Sequence, residues 1–129
     1  MSVAPAKRPT ALIITLAAAC DAGLVALFAA LGRSEHARGG SLLGLLQTAW
    51  PFLAGLAIMW LVTLAFRRPL AIVRTGLPIW VGTVAIGMLL RLATGSGAAL
   101  PFVLVATGTL GVFLLGWRVI AVLATKLRR

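Results

Sequence analysis

Acidic side chains are nearly absent from this sequence of 129 residues, which has two, Asp21 and Glu35, against twelve lysines and arginines. Cys20 is the only cysteine, so an intrachain disulfide is excluded. No His-Glu-x-x-His run, no paired cysteines and no glycine-rich phosphate loop occurs. These absences argue against most enzyme classes. We expect a chain that is not an enzyme, with no catalytic residue, no metal and no cofactor.

Long apolar runs take the place of these motifs, with 61% hydrophobic residues and a mean hydropathy of +1.09. Four runs at 9–32, 39–66, 75–90 and 92–117 contain a single charge between them, Asp21. Runs of about 18 or more apolar residues indicate membrane-spanning helices, because a helix rises ~1.5 Å per residue and the hydrocarbon layer is ~30 Å thick. We predict an all-α fold in a single domain, residues 1–129: a four-helix transmembrane bundle, up-down and antiparallel. The spans are predicted at about 10–31, 42–66, 70–92 and 98–123.

Two prolines leave two alternatives for where the second and third spans begin. The second span either starts at Ser41 and tilts, or starts near Trp50 and Pro51 after an interfacial turn. Proline suits a first helical turn, which favours the second version. In the third span, Pro78 either bends the helix or marks a later start.

The basic residues indicate the orientation, since lysine and arginine concentrate on the cytoplasmic side. Nine of the twelve fall on the side of the two termini. We therefore predict a multi-pass plasma-membrane protein with both termini cytoplasmic (N-in/C-in). Its basic ends contact anionic lipid headgroups rather than nucleic acid. The nine are Lys7, Arg8, Arg67, Arg68, Arg74, Arg118, Lys126, Arg128 and Arg129, against Arg33, Arg38 and Arg91 on the outer side.

Asp21 is the sharpest functional signal, because it falls near the middle of the first span. An acid there costs about 2.5–3.5 kcal/mol on the insertion scale, and such residues usually face the bundle interior. A stripe of alanines every four residues flanks it and permits close helix contact: Ala18, Ala22, Ala26 and Ala30. Three threonines at similar depth are predicted to offer hydrogen bonds to Asp21: Thr83, Thr107 and Thr109.

Two arginines are candidate cations for Asp21. Arg118 lies close enough to the inner end of the fourth span to reach inward, or to extend to the headgroups instead. Arg91 is the alternative from the outer side. Asp21 then has three readings: a structural hydrogen bond or ion pair, proton or ion handling, or contact with a partner.

The loop between the first two spans contains an acid beside an imidazole, Glu35 and His36. Such a pair is capable of general acid–base chemistry, but adjacent residues do not converge naturally on one substrate. A solvated loop is the favoured interpretation. The tryptophans are interpreted mainly as interfacial anchors or packing residues: Trp50, Trp60, Trp80 and Trp117.

Three stretches carry a family resemblance: TAWPFLAGLAIMW (48–60), PIWVGTVAIGMLLRLATGSG (78–97) and LLGWR (114–118). Together they resemble an uncharacterised family of small four-span prokaryotic membrane proteins, domain of unknown function 3054. The resemblance runs from about the first span to Arg118 and implies a four-span topology. It implies no activity. The alanine, glycine and arginine usage fits a high-GC bacterium.

Three functions follow as hypotheses. The first is an accessory or assembly component of a membrane complex, which packs against other membrane helices as a hetero-complex or homo-oligomer. The second is a homo-oligomeric proton-linked transporter or channel that uses Asp21, by physical analogy with the lone membrane carboxylate of small four-span multidrug exporters. Those exporters have a glutamate in their own motif, whereas this chain has AACDAG. The third is a membrane enzyme acting on lipid through Glu35, His36 and the loop arginines, and it is the least favoured.

Overall fold

The computed structural model describes residues 8–35 and 42–128, with side chains described for 8–32 and 42–128. Within these residues the chain is all-helical and contains no strand, which confirms the predicted all-α class. Four long helices carry the fold. They are α1 (Ala11–Glu35), α2 (Leu42–Val62), α3 (Leu77–Ala93) and α4 (Leu100–Leu127).

Each of these helices belongs to a segment long and apolar enough to cross a membrane. The segments are Ala11–Gly32, Leu42–Val62, Ile72–Ala93 and Leu100–Leu127. They agree with the predicted spans to within a few residues. The second ends at Val62 rather than near 66, and the fourth continues to Leu127 rather than 123. Such a set of helices is that of a multi-pass membrane protein.

The outer surface of the bundle is apolar on every helix. Large hydrophobic side chains such as Leu12, Leu43, Leu89 and Ile120 are exposed. Proteins in water rarely expose contiguous apolar surface on this scale. The hydrocarbon of a bilayer is a favourable environment for apolar side chains. The apolar surface and the lengths of the helices therefore both indicate a protein that lies in a membrane.

The start of α2 differs from the favoured prediction. The helix begins at Leu42 and continues through Pro51, which lies inside it and is buried. The expected start near Trp50 is therefore wrong. An interior proline removes one backbone hydrogen bond, but membrane helices tolerate this where neighbouring helices pack around the site.

The connection between α2 and α3 is irregular throughout. Leu64 adopts a left-handed conformation, with φ 54° and ψ 46°, which costs a residue with a side chain about 1–2 kcal/mol. A 3-10 helix over Ala65–Arg67 and a π-helix over Ile72–Gly76 follow. Pro78 then lies in the first turn of α3, which agrees with a later start of the α-helix.

The helices pack in a ring of neighbours. α1 contacts α2 and α4, and α3 contacts the same two helices. Close approach of α2 and α3 depends on glycine, because a Cβ at Gly82 would meet Met59 and one at Gly87 would meet Phe52. Three rings, Phe28, Phe52 and Phe102, cluster with centroids 5.3–6.2 Å apart.

Candidate functional site

Asp21 lies on α1 with its side chain completely buried, at 0% exposure. Its Oδ1 accepts hydrogen bonds from Nε1 of Trp117 at 2.7 Å and from Nη1 of Arg118 at 2.9 Å. Its Oδ2 accepts from Nη2 of Arg118 at 2.7 Å and from Nε1 of Trp60 at 2.9 Å. A carboxylate offers about four lone-pair positions, so protein donors occupy all of them.

Arg118, on α4, is also completely buried and forms a two-point salt bridge with Asp21. Its Nε donates to the carbonyl oxygen of Pro69 at 2.9 Å, and its Nη1 donates to that of Leu114 at 2.9 Å. The guanidinium carbon lies 4.7 Å from the ring centroid of Trp117, within cation–π range. The planar fork of arginine suits this arrangement, since a lysine could not reproduce two parallel bonds to one carboxylate.

The site joins three helices and one connection. α1 supplies the acid, α2 supplies Trp60 near its C-terminal end, and α4 supplies Trp117 and Arg118 from adjacent positions. The connection between α2 and α3 folds over the arginine, because Pro69 accepts its Nε proton and Gly76 lies against its side chain. We call Asp21, Trp60, Trp117 and Arg118 the polar centre.

The charges of the polar centre compensate each other. Each ion alone would be expensive inside a bilayer, but opposite charges in contact at low dielectric attract strongly, and the additional donors satisfy the remaining lone pairs. Asp21 keeps no lone pair free for a substrate, an ion or an added proton unless one of its donors moves away. Chemically, the arrangement is a saturated ion pair that holds helices together.

Arg91, the alternative cation, is elsewhere in the structure. Its Nε donates to the carbonyl of Gly97 at 3.0 Å and its Nη2 to that of Ser96 at 3.2 Å. Its guanidinium carbon lies 4.3 Å from the ring centroid of Phe102. The prediction that Arg91 could pair with Asp21 is wrong, because Arg91 serves the turn that follows its own helix.

The threonines predicted near Asp21 form no hydrogen bond with it. Thr107 donates to the carbonyl of Val103 on its own helix at 2.7 Å. Thr83 is completely buried, and its hydroxyl has no hydrogen-bond partner among the described residues. Asp21 receives its bonds from an arginine and two indoles, and none from Thr83, Thr107 or Thr109.

Sequence reasoning missed Trp60 and Trp117 as donors. Tryptophan near a span end is typical of an interfacial anchor, and both residues fit that description. The available signal was the dipeptide Trp117–Arg118, which puts an aromatic N–H beside the candidate cation. A buried indole usually finds an acceptor, and in a chain with two acids the choice of acceptors is small.

The remaining candidates have little structural description. Glu35 ends α1, but its side chain and the whole of His36 lie outside the described residues. Among the described residues, no group of three or more His, Cys, Asp or Glu side chains could hold a metal ion.

Comparison with known proteins yields one family. A family model described as "Protein of unknown function (DUF3054)" matches residues 18–121. The matched range contains the whole polar centre, α2 and α3. No curated protein and no solved structure matches the chain.

Proposed function

Because the chain belongs to the DUF3054 family, whose function is unknown, we propose a role from its own geometry. The protein is a non-enzymatic accessory or assembly component of a membrane complex, and it packs against helices of other subunits. The observation that carries the proposal is a contrast between the glycines inside the bundle and those on its outer faces.

Neighbouring side chains fill the space beside the glycines inside the bundle, whereas other glycines face open space. Gly82 and Gly87 lie against side chains of α2. Gly23 on α1, and Gly108 and Gly116 on α4, would place a Cβ with nothing within 4 Å. Glycine in a helix costs about 1 kcal/mol relative to alanine, and no contact with the described residues offsets that cost at those three positions. Small residues on a membrane-facing surface allow another helix to approach closely, which supports a partner on the faces of α1 and α4.

The polar centre supports the same proposal. Both carboxylate oxygens of Asp21 are bonded within the bundle, which supports a structural role for this acid. The alternative, a homo-oligomeric proton-linked transporter, has less support, since Asp21 would first have to lose a donor to accept a proton. That alternative requires that Asp21→Asn abolish proton-linked flux while the protein still folds.

The proposed arrangement in the membrane is up-down and antiparallel, with both termini in the cytoplasm. Its support is the distribution of lysine and arginine, nine of twelve on that side. Labelling of single cysteines introduced near each terminus and in the 93–100 turn, with Cys20 replaced by serine, tests it. Accessibility of the terminal positions from outside intact cells would contradict it.

Native mass analysis of the tagged protein, extracted from its own membranes in mild detergent, tests the accessory role. We expect a heteromeric complex that Gly23→Leu and Gly108→Leu each dissociate. The matched control is Ala85→Leu, which places the same leucine side chain at an exposed position of α3 and should leave the complex intact. Recovery of the free protein alone would count against the proposal, and a homo-oligomer alone would favour the transporter.

A further inference from the structure

The connection between α2 and α3 contains an open pocket of about 370 Å³. Three of the residues that line it are arginines, Arg67, Arg68 and Arg74. The others are Thr63, Leu64 and Thr75. The pocket is separate from the polar centre, since it includes none of the four residues that form that centre.

The three arginines have no internal counter-charge. Their side chains form no hydrogen bond or ion pair with the described residues. Among the described side chains Asp21 is the only carboxylate, and Arg118 and two indoles already occupy its oxygens. All three arginine side chains are exposed, so they are accessible to an anion from outside the described chain.

The other polar groups of the pocket do not supply donors. The hydroxyl of Thr63 donates to the carbonyl of Met59 at 2.6 Å, and that of Thr75 donates to the carbonyl of Arg68 at 2.7 Å. The guanidinium groups are then the available donors, and guanidinium forks match phosphate oxygens with paired hydrogen bonds. The chemistry of the pocket suits an anion with several oxygens rather than a neutral sugar or an amine.

The backbone holds these arginines in a defined arrangement. Arg67 lies in the 3-10 helix after the left-handed Leu64, and Arg74 lies in the π-helix. The hydroxyl of Thr75, a residue only 2% exposed, is bonded to the carbonyl of Arg68, which joins the two halves of the connection. The connection also links two segments long enough to span a membrane, so its pocket lies at the level of the lipid phosphates.

We propose that this pocket binds a phosphate-bearing anion through Arg67, Arg68 and Arg74. Two sources offer that chemistry: the headgroup of an anionic phospholipid and a free phosphate in the aqueous phase. The lipid is the nearer source, because the phosphates of the bilayer surround the connection at high local concentration.

Native mass spectrometry of the full-length protein in a neutral detergent, with equimolar phosphatidylglycerol and phosphatidylcholine added, tests the proposal. We expect one phosphatidylglycerol bound in preference to phosphatidylcholine. The variant R67Q/R68Q/R74Q removes all three arginines of the pocket. Each arginine near a charged headgroup contributes roughly 5-fold to binding, so the triple variant should bind phosphatidylglycerol on the order of 100-fold more weakly. The thermal transition of each variant shows whether it is folded.

The matched control, R8Q/K126Q/R128Q, removes the same amount of charge outside the pocket. It should change the binding less than about 3-fold, because binding at a discrete site depends little on charges outside that site. Inorganic phosphate separates the two sources. If it raises the thermal transition of the wild type and displaces the lipid, the pocket also takes free phosphate; if it does neither while phosphatidylglycerol binds, the source is the lipid. Equal loss in both triple variants, or no preference for phosphatidylglycerol and no effect of phosphate, would overturn the proposal.

Discussion

Arg91 and Arg118 lie in the C-terminal halves of α3 and α4 and are accommodated there in different ways. Arg118 and Arg91 each donate to backbone carbonyls of a connection between helices, and each lies against an aromatic ring. Arg118 is completely buried and meets Asp21, whereas Arg91 is half-buried and pairs with no acid among the described side chains. The comparison shows that burial of the charge, and not the contact with the loop, is what requires the acid.

The surroundings of the two arginines follow from this difference. Around Arg118, two indoles complete the hydrogen bonding of the carboxylate, so that no charge or lone pair remains exposed to hydrocarbon. Around Arg91, the carbonyls of Ser96 and Gly97 accept two bonds, and the side chain stays partly exposed. The first arrangement holds helices together, and the second closes a turn.

Breaking the buried pair should have the largest effect. Asp21→Asn and Arg118→Gln each leave one buried charge without its partner, which costs about 3–5 kcal/mol. We expect each variant to lower the free energy of unfolding in detergent, followed by circular dichroism, by that amount. Arg74→Gln is the control, because its side chain is exposed. A loss below about 1 kcal/mol in both variants would show that the pair does not hold the bundle.

Removing one indole donor should have a smaller effect. Trp60→Phe and Trp117→Phe each keep an aromatic ring and delete one hydrogen bond to Asp21. Hydrogen bonds between membrane helices are worth about 0.6 kcal/mol on average and at most about 1.7, and the charged acceptor puts these at the upper end. Trp50→Phe, at a residue 42% exposed, is the matched control and should be neutral. Equal losses at all three positions would mean that the effect comes from ring size.

Changing the other arginine should cost less. Arg91→Gln removes its contact with Phe102 and weakens the bonds to the turn, and both are partly exposed. We expect a loss of about 0.5–1 kcal/mol, in the range of an exposed cation–π contact, by the same unfolding measurement. A loss as large as that of Arg118→Gln would remove the distinction between the two arginines.

The hydroxyl of Thr83 provides a contrast to the polar centre, because its removal should not reduce stability. Thr83 is as buried as Asp21, but its hydroxyl has no partner among the described residues. Thr83→Val replaces that hydroxyl with a methyl of similar shape, so we expect no loss and a gain of up to about 1 kcal/mol. Thr107→Val, which deletes a bonded hydroxyl, is the control and should not be stabilising. A loss at Thr83 would indicate a partner for its hydroxyl, such as a bound water.

Sequence alone predicted the four helices, but not every helix end. The lengths of the apolar runs predicted four segments whose ends agree with the structure to within a few residues, because the thickness of a membrane sets the length of a span. Pro51 gave the wrong start for α2, because the preference of proline for a first helical turn is a tendency and membrane helices tolerate proline in their interior.

The site was partly accessible from sequence. A lone acid in an apolar run identified Asp21, and depth identified Arg118 as a cation within reach. Depth could not select between threonines and tryptophans as the remaining donors. That choice depends on how each helix is rotated toward its neighbours, and periodicity within one helix contains no information about the rotation of another.

A double-mutant cycle on Asp21 and Arg118 tests the central claim most directly. The free energy of unfolding is measured for the wild type, Asp21→Asn, Arg118→Gln and the double variant in one detergent. If the pair is a structural ion pair, the double variant is more stable than the sum of the single losses predicts, by about 2 kcal/mol or more. Additive losses would contradict the claim, because they would show that each side chain is stabilised by something other than its partner.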